Sequence, residues 1–109
     1  MQNDNGKIVS QMRKWILEYV ILSIIKKGEV YTSDIIETLK INNLLVVEGT
    51  IYPLLSRLKD DGVISYYWVE SLSGPPRKYY KLTESGRNLI IMMDHVWKEL
   101  STAVNIIIN

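Results

Sequence analysis

The sequence predicts an α+β fold that is mostly α, a winged helix-turn-helix with a long C-terminal dimerisation helix. Three observations predict it. A short amphipathic helix from about Glu48 to Asp61 stops at Gly62. Two strand-like runs follow, about Val63 to Glu70 and Arg77 to Leu82, joined by the turn signal Ser73-Gly74-Pro75-Pro76 and edged by the bases Arg77 and Lys78. A long helix then starts at Thr83 and carries apolar residues in the a/d rhythm of a coiled-coil seam.

The bulk numbers are compatible with that plan. A chain of 109 residues supports one domain with one modest core. The absence of Cys excludes disulfides and thiolate metal sites, and the single His95 leaves no zinc site, so no metal or cofactor is expected. The start Met1 to Lys7 is polar and has no signal-like apolar stretch, and the apolar run Tyr19 to Ile25 is too short to span a bilayer. A cytoplasmic protein without a membrane partner is expected. The net charge of +1 gives no general support for nucleic-acid binding, so that reading must rest on where the charges sit.

Residues 1–7 are expected to be disordered, residues 8–82 to form the winged helix-turn-helix, and residues 83–109 the dimerisation helix. From Ile8 to Lys27, Ile8, Met12, Trp15, Ile16, Tyr19, Val20 and Ile24 recur at helical steps. The second half of this helix is apolar nearly all round and needs cover on more than one side. Thr32, Ser33 and Asp34 offer caps for a second helix, with Asp34 and Glu37 loosely fitting a capping box. Ile35, Ile36, Leu39 and Ile41 form its apolar face, Asn42-Asn43 ends it, and Leu44 to Val47 is a short apolar link.

The recognition helix, about 48–61, turns Ile51, Leu54, Leu55 and Leu58 inward. Pro53 is tolerated because it falls in the first turn or so. The wing covers about 63–82, and its Pro pair is expected to stay out of the strand ladder. Tyr66, Tyr67, Tyr79 and Tyr80 are adjacent aromatics that point to opposite faces, one of each pair toward the core. On the last helix, Thr83 caps and Glu84 favours the dipole. Leu89, Met93, Val96, Leu100, Ala103 and Ile107 form the seam, with Ile90, Trp97 and Val104 in a parallel stripe. So much apolar surface at a chain end points to a twofold-related copy.

Side chains on the exposed face of a helix read bases in a major groove. Thr50, Tyr52 and Ser56 can reach base edges or phosphates, while Arg57 and Lys59 suit phosphates. Arg77 and Lys78 at the wing can clamp the backbone or enter a minor groove, in a stretch without acids. Trp97 with Trp15, Tyr19 and Met93 fits either dimer packing or an aromatic pocket for planar ligands. His95 next to Asp94 has no assigned role. There is no nucleophile–base–orienter set and no phosphate-cradling Gly loop, so the chain is not expected to be an enzyme.

At Glu48-Gly-Thr-Ile-Tyr-Pro-Leu-Leu-Ser-Arg-Leu-Lys-Asp-Asp-Gly62 and Gly74-Pro-Pro-Arg-Lys-Tyr-Tyr-Lys-Leu-Thr83, the chain resembles the PadR family of bacterial transcriptional regulators, in its small-protein subgroup. The resemblance covers about Ile16 to Leu100. It implies a homodimer that represses by binding double-stranded DNA at an inverted-repeat operator, upstream of its own gene and of a neighbouring efflux or detoxification operon. Carried over by position, Thr50, Tyr52, Pro53, Arg57, Gly74, Pro75, Arg77 and Lys78 would meet DNA. In drug-sensing members a Trp on the last helix stacks a small planar aromatic ligand, and Trp97 matches it. Tyr19 is bulky where some drug-binding members carry a smaller polar residue, which narrows or closes the central pore that holds the ligand between the subunits. Ser101 stands at the acidic ligand-binding position, which argues against a cationic ligand. The rival reading, favoured by the near-neutral charge, is a winged-helix protein-interaction module that does not bind DNA.

Overall fold

The computed structural model describes the backbone of residues 2–44 and 48–109, and their side chains except at 2–6, 9, 10, 15 and 48. The elements run α1 (Gln2–Lys26), β1 (Val30–Tyr31), α2 (Thr32–Ile41), a 3₁₀ turn (Glu48–Thr50), α3 (Ile51–Asp60), β2 (Ile64–Ser71), β3 (Gly74–Leu82) and α4 (Glu84–Ile108). This is a mostly helical winged helix-turn-helix, with β2 and β3 as the wing and the three strands antiparallel in the order β1-β3-β2.

The core is built from one stripe of each helix and one face of the sheet. Ile21, Leu22 and Ile25 of α1 meet Ile35, Ile36 and Leu39 of α2 and Ile51, Leu55 and Leu58 of α3. Ile64, Tyr80 and Leu82 close it from the sheet, and Ile90 from α4. Each fully buried Leu or Ile contributes about 1.5–3 kcal/mol from the apolar surface it removes from water.

Several sequence expectations need correction. Residues 2–7, expected to be disordered, continue α1, which begins at Gln2. The capping of α2 differs too. Tyr31 is the N-cap, and the Asp34 carboxylate accepts from the Tyr31 N–H at 3.1 Å, so Glu37 takes no part. Ile41 is exposed, because on α2 it lies two residues, about 200°, from Leu39 and so faces away from the core. The link Leu44 to Val47 lies, beyond Leu44, outside the described residues.

The second wing strand starts earlier than Arg77 and takes in the prolines, which stay unpaired in the ladder as expected. β3 begins at Gly74, and Ser71 pairs with Gly74 while Val69 pairs with Arg77. Two steps on β2 thus oppose three on β3, so the ladder bulges at Pro75-Pro76. A bulge is where a strand tolerates missing N–H donors. β1 pairs only with Tyr79 and Tyr80, so the prolines are also beyond the reach of a third strand.

The junction between α3, the wing and α4 is tightly bonded. Gly62 takes φ +76, the left-handed conformation that glycine adopts without penalty. The Val63 N–H donates to the Leu58 carbonyl at 3.2 Å, and the Thr83 N–H donates to the Val63 carbonyl at 3.1 Å. The Thr83 hydroxyl donates to the Gly62 carbonyl at 2.6 Å and accepts from the Gly86 N–H at 3.0 Å. The last contact is the N-cap that the sequence indicated.

Candidate nucleic-acid interface

α3 buries Ile51, Leu55 and Leu58 and leaves Tyr52, Pro53, Ser56, Arg57 and Lys59 exposed, with Thr50 exposed in the turn before it. At 100° per residue these exposed positions do not share one direction. Tyr52, Ser56 and Lys59 lean toward the wing, and Arg57 leans toward α1.

Two adjoining grooves lie on the wing side. Tyr52, Arg77 and Lys78 line the first, together with Thr32, Ser33, Lys40 and Ile41 of α2. Ser56, Lys59, Asp60, Tyr66, Lys78 and Tyr80 line the second. Lys78 borders both. Its Nζ stands 4.1 Å from the Tyr66 ring centre and 5.3 Å from that of Trp68, while Lys59 Nζ stands 5.6 Å from Tyr66. Arg77, on the opposite face of β3, lies 5.0 Å over Tyr31. A ring face under a cation is worth about 0.5–1 kcal/mol at an exposed site, and it orients the charge without neutralising it. Gly74 and Pro75 are exposed at the hairpin tip.

Arg57 stands apart from this set. Its Nη2 donates to Glu18 Oε2 of α1 at 2.9 Å. Sequence reasoning missed that partner, and it missed Thr32, Ser33 and Lys40 as groove residues. The first two read as caps, and their place beside the wing depends on the β1–β3 pairing of Val30 with Tyr80.

The outer sheet face holds a tyrosine cluster. Tyr67 donates to the Glu29 carboxylate, which pushes its phenol up. Tyr79, bonded to Tyr31, is pushed up to about 12. Both stay neutral and serve as packing between β1, β2 and β3.

The aromatic positions on α1 and α4 meet. The Tyr19 and Trp97 ring centres are 6.3 Å apart with the rings tilted at 44°. The Tyr19 hydroxyl donates to Asp94 Oδ1 at 2.5 Å, and Lys26 Nζ donates to Oδ2 at 3.1 Å. Those two donors, Tyr19 first, hold the Asp94 carboxyl below its ordinary value, and the same bond pushes the Tyr19 phenol up. Met93 is half-buried against the core, and the Trp15 side chain lies outside the described residues.

The expected seam divides in two. Leu89 and Met93 are half-buried against the chain's own core. Val96, Trp97, Leu100, Ala103, Val104 and Ile107 are exposed, Leu100 at 56%. Ile90 belongs to the core and not to the stripe of Trp97 and Val104. Among the described residues, no helix is long and apolar enough to cross a membrane.

Known proteins share this fold. The profile of the Transcriptional regulator PadR-like family matches residues 21–90. A PadR-like transcription factor from Bacteroides fragilis is 54% identical, with a TM-score of 0.76 over 93% of this chain and 98% of that one. A PadR-like transcriptional regulator from Bacillus cereus is 37% identical, with a TM-score of 0.81 over 91% of this chain and 97% of that one. Bacillus subtilis PadR in complex with operator DNA is 30% identical, with a TM-score of 0.63 over 75% of this chain and 45% of that one. These relatives are transcriptional regulators and not enzymes. With a family profile spanning α2, α3 and the wing, and with relatives alike over nearly the whole chain, the protein belongs to the PadR-like family of transcriptional regulators.

Proposed function

We propose that this chain is a sequence-specific DNA-binding regulator, a homodimeric cytoplasmic repressor of its own gene and of a neighbouring efflux or detoxification operon. The observation that carries the reading is the convergence of Tyr52 from α3 with Arg77 and Lys78 from β3 on one groove. Support comes from a relative crystallised with operator DNA.

In this reading α3 enters a major groove. Thr50, Tyr52, Pro53 and Ser56 face base edges, with hydroxyls as donors or acceptors and Pro53 as an apolar contact. Lys59, Arg77 and Lys78 track phosphates, Gly74 and Pro75 let the wing tip approach the backbone, and Arg57 flanks the site from the α1 side. The exposed stripe Val96, Leu100, Ala103, Val104 and Ile107 packs against a second copy. Two recognition helices then meet an inverted repeat about 34 Å apart. A planar aromatic ligand at Trp97, beside Tyr19, Met93 and Trp15, would release DNA only by binding the competent and incompetent dimers unequally.

The test is a gel-shift titration with the DNA upstream of the chain's own gene against a scrambled duplex, at two salt concentrations. Preference for the native duplex, falling steeply with salt, is expected. Equal or absent binding to both would point to the protein-interaction module.

A further inference from the structure

We propose that Glu18 is an intramolecular rival of the DNA backbone for Arg57, so that their ion pair holds DNA affinity down and its release raises it. This rests on the DNA-binding reading above.

The cations around α3 and the wing are held in two different ways. Lys59, Lys78 and Arg77 stand over aromatic rings, which orient a charge and leave it available to a phosphate. Arg57 is held by a carboxylate, with Nη2 2.9 Å from Glu18 Oε2. A carboxylate offers a guanidinium the same anionic oxygens that a phosphate does, so the two anions compete for one fork. The pair is also accessible. The Arg57 side chain is 60% exposed and that of Glu18 33%, so water weakens their attraction and a phosphate can replace the carboxylate. While the pair is closed, its net charge is zero, and the flank of α3 nearest α1 adds no pull on the backbone.

The position of Glu18 gives the contact something to respond to. The next residue, Tyr19, is bonded through its hydroxyl to Asp94 of α4, and its ring faces Trp97. One turn of α1 therefore touches the recognition helix on one side and α4 on the other. A shift of α1 along α4 carries the Glu18 carboxylate toward or away from Arg57.

The experiment is fluorescence anisotropy with labelled duplex from the chain's own upstream region, across a salt series. It compares the wild type with Glu18→Gln, Glu18→Asp, Arg57→Gln and the double variant Glu18→Gln/Arg57→Gln. Glu18→Gln is expected to bind on the order of three- to tenfold tighter at low salt, with the advantage narrowing as salt rises. The plot of log affinity against log salt steepens by up to about one unit per subunit, as one more phosphate is neutralised. Glu18→Asp keeps the charge but shortens the reach, and tightens binding in the same direction. In the Arg57→Gln background, Glu18→Gln changes nothing. Thermal unfolding of each variant confirms that folded proteins are compared.

Wild-type binding with Glu18→Gln and Glu18→Asp unchanged or weaker would overturn the rivalry alone. An equal gain in the Arg57→Gln background would overturn it too, by showing a general charge effect. Failure of the wild type to prefer its own duplex would overturn the DNA-binding reading and this proposal with it.

Discussion

Gly86 lies so close to Val63 that a Cβ on it would stand 1.9 Å from the Val63 carbonyl oxygen. That carbonyl already accepts from the Thr83 N–H at 3.1 Å, so it cannot withdraw without breaking the start of α4. Backbone, not a pliable side chain, sets the limit.

Gly86→Ala is therefore expected to cost about 3 kcal/mol, at the upper end for overpacking, because the neighbour cannot yield. For a domain of this size the melting temperature should fall by roughly 10–20 °C. Thermal unfolding by circular dichroism measures it, and an unchanged melting temperature would mean that α4 shifts freely against the wing.

Lys78 borders both grooves and stands 4.1 Å from the Tyr66 ring centre, so its charge is fixed where the two surfaces meet. Lys78→Ala should weaken binding of native and scrambled duplex alike and flatten the salt dependence by about one unit per subunit. A loss confined to the native duplex would instead make Lys78 a base-reading residue.

Leu100→Lys tests the proposed seam. Leu100 is 56% exposed in a single chain, in line with Val96, Ala103 and Ile107 on α4. A charge there should leave each chain folded and yield monomers by light scattering, since an unpaired ammonium resists burial. A persistent dimer would move the interface elsewhere.

Asp94 predicts an acid sensitivity. Its carboxyl is held below the ordinary 3.8 by the Tyr19 hydroxyl and Lys26. A lowered carboxyl contributes stability that is full above the unfolded value and lost as pH falls through the folded one. The wild type should therefore melt above Asp94→Asn near neutrality, and the gap should close below about pH 4. A gap that is constant with pH would assign the difference to packing.

Much of this architecture was legible locally. The Thr83 cap, the Gly62 stop and the buried set Ile51, Leu55 and Leu58 each follow from signals within a few residues. The arrangement that escaped depends on distant partners. Arg57 and Glu18 are 39 residues apart, and Arg57 sits at the margin of the exposed face of α3, where spacing does not say whether it turns to the wing or to α1. Pro75 and Pro76 fall within β3 but at its bulge, without partners on β2, so the rule that kept them out of the ladder holds and only the start of the strand was misplaced. The early start of α1 had no apolar period to announce it, since Gln2 to Lys7 is polar. The family resemblance named Thr50, Tyr52, Pro53, Arg57 and the wing residues, but not which of them line one groove.

The fusion of α4 to the end of α3 also makes α4 a lever. Its 25 residues span about 37 Å, and its first turn is bolted to Gly62 and Val63. In the proposed dimer, a tilt of about 5° at the seam moves the far end of such a rod by roughly 3 Å. That is close to the rise of one base pair, about 3.4 Å. A change too small to disturb any packing within a subunit would thus put the two heads one base pair out of step, and the gearing lies in the length of a single helix.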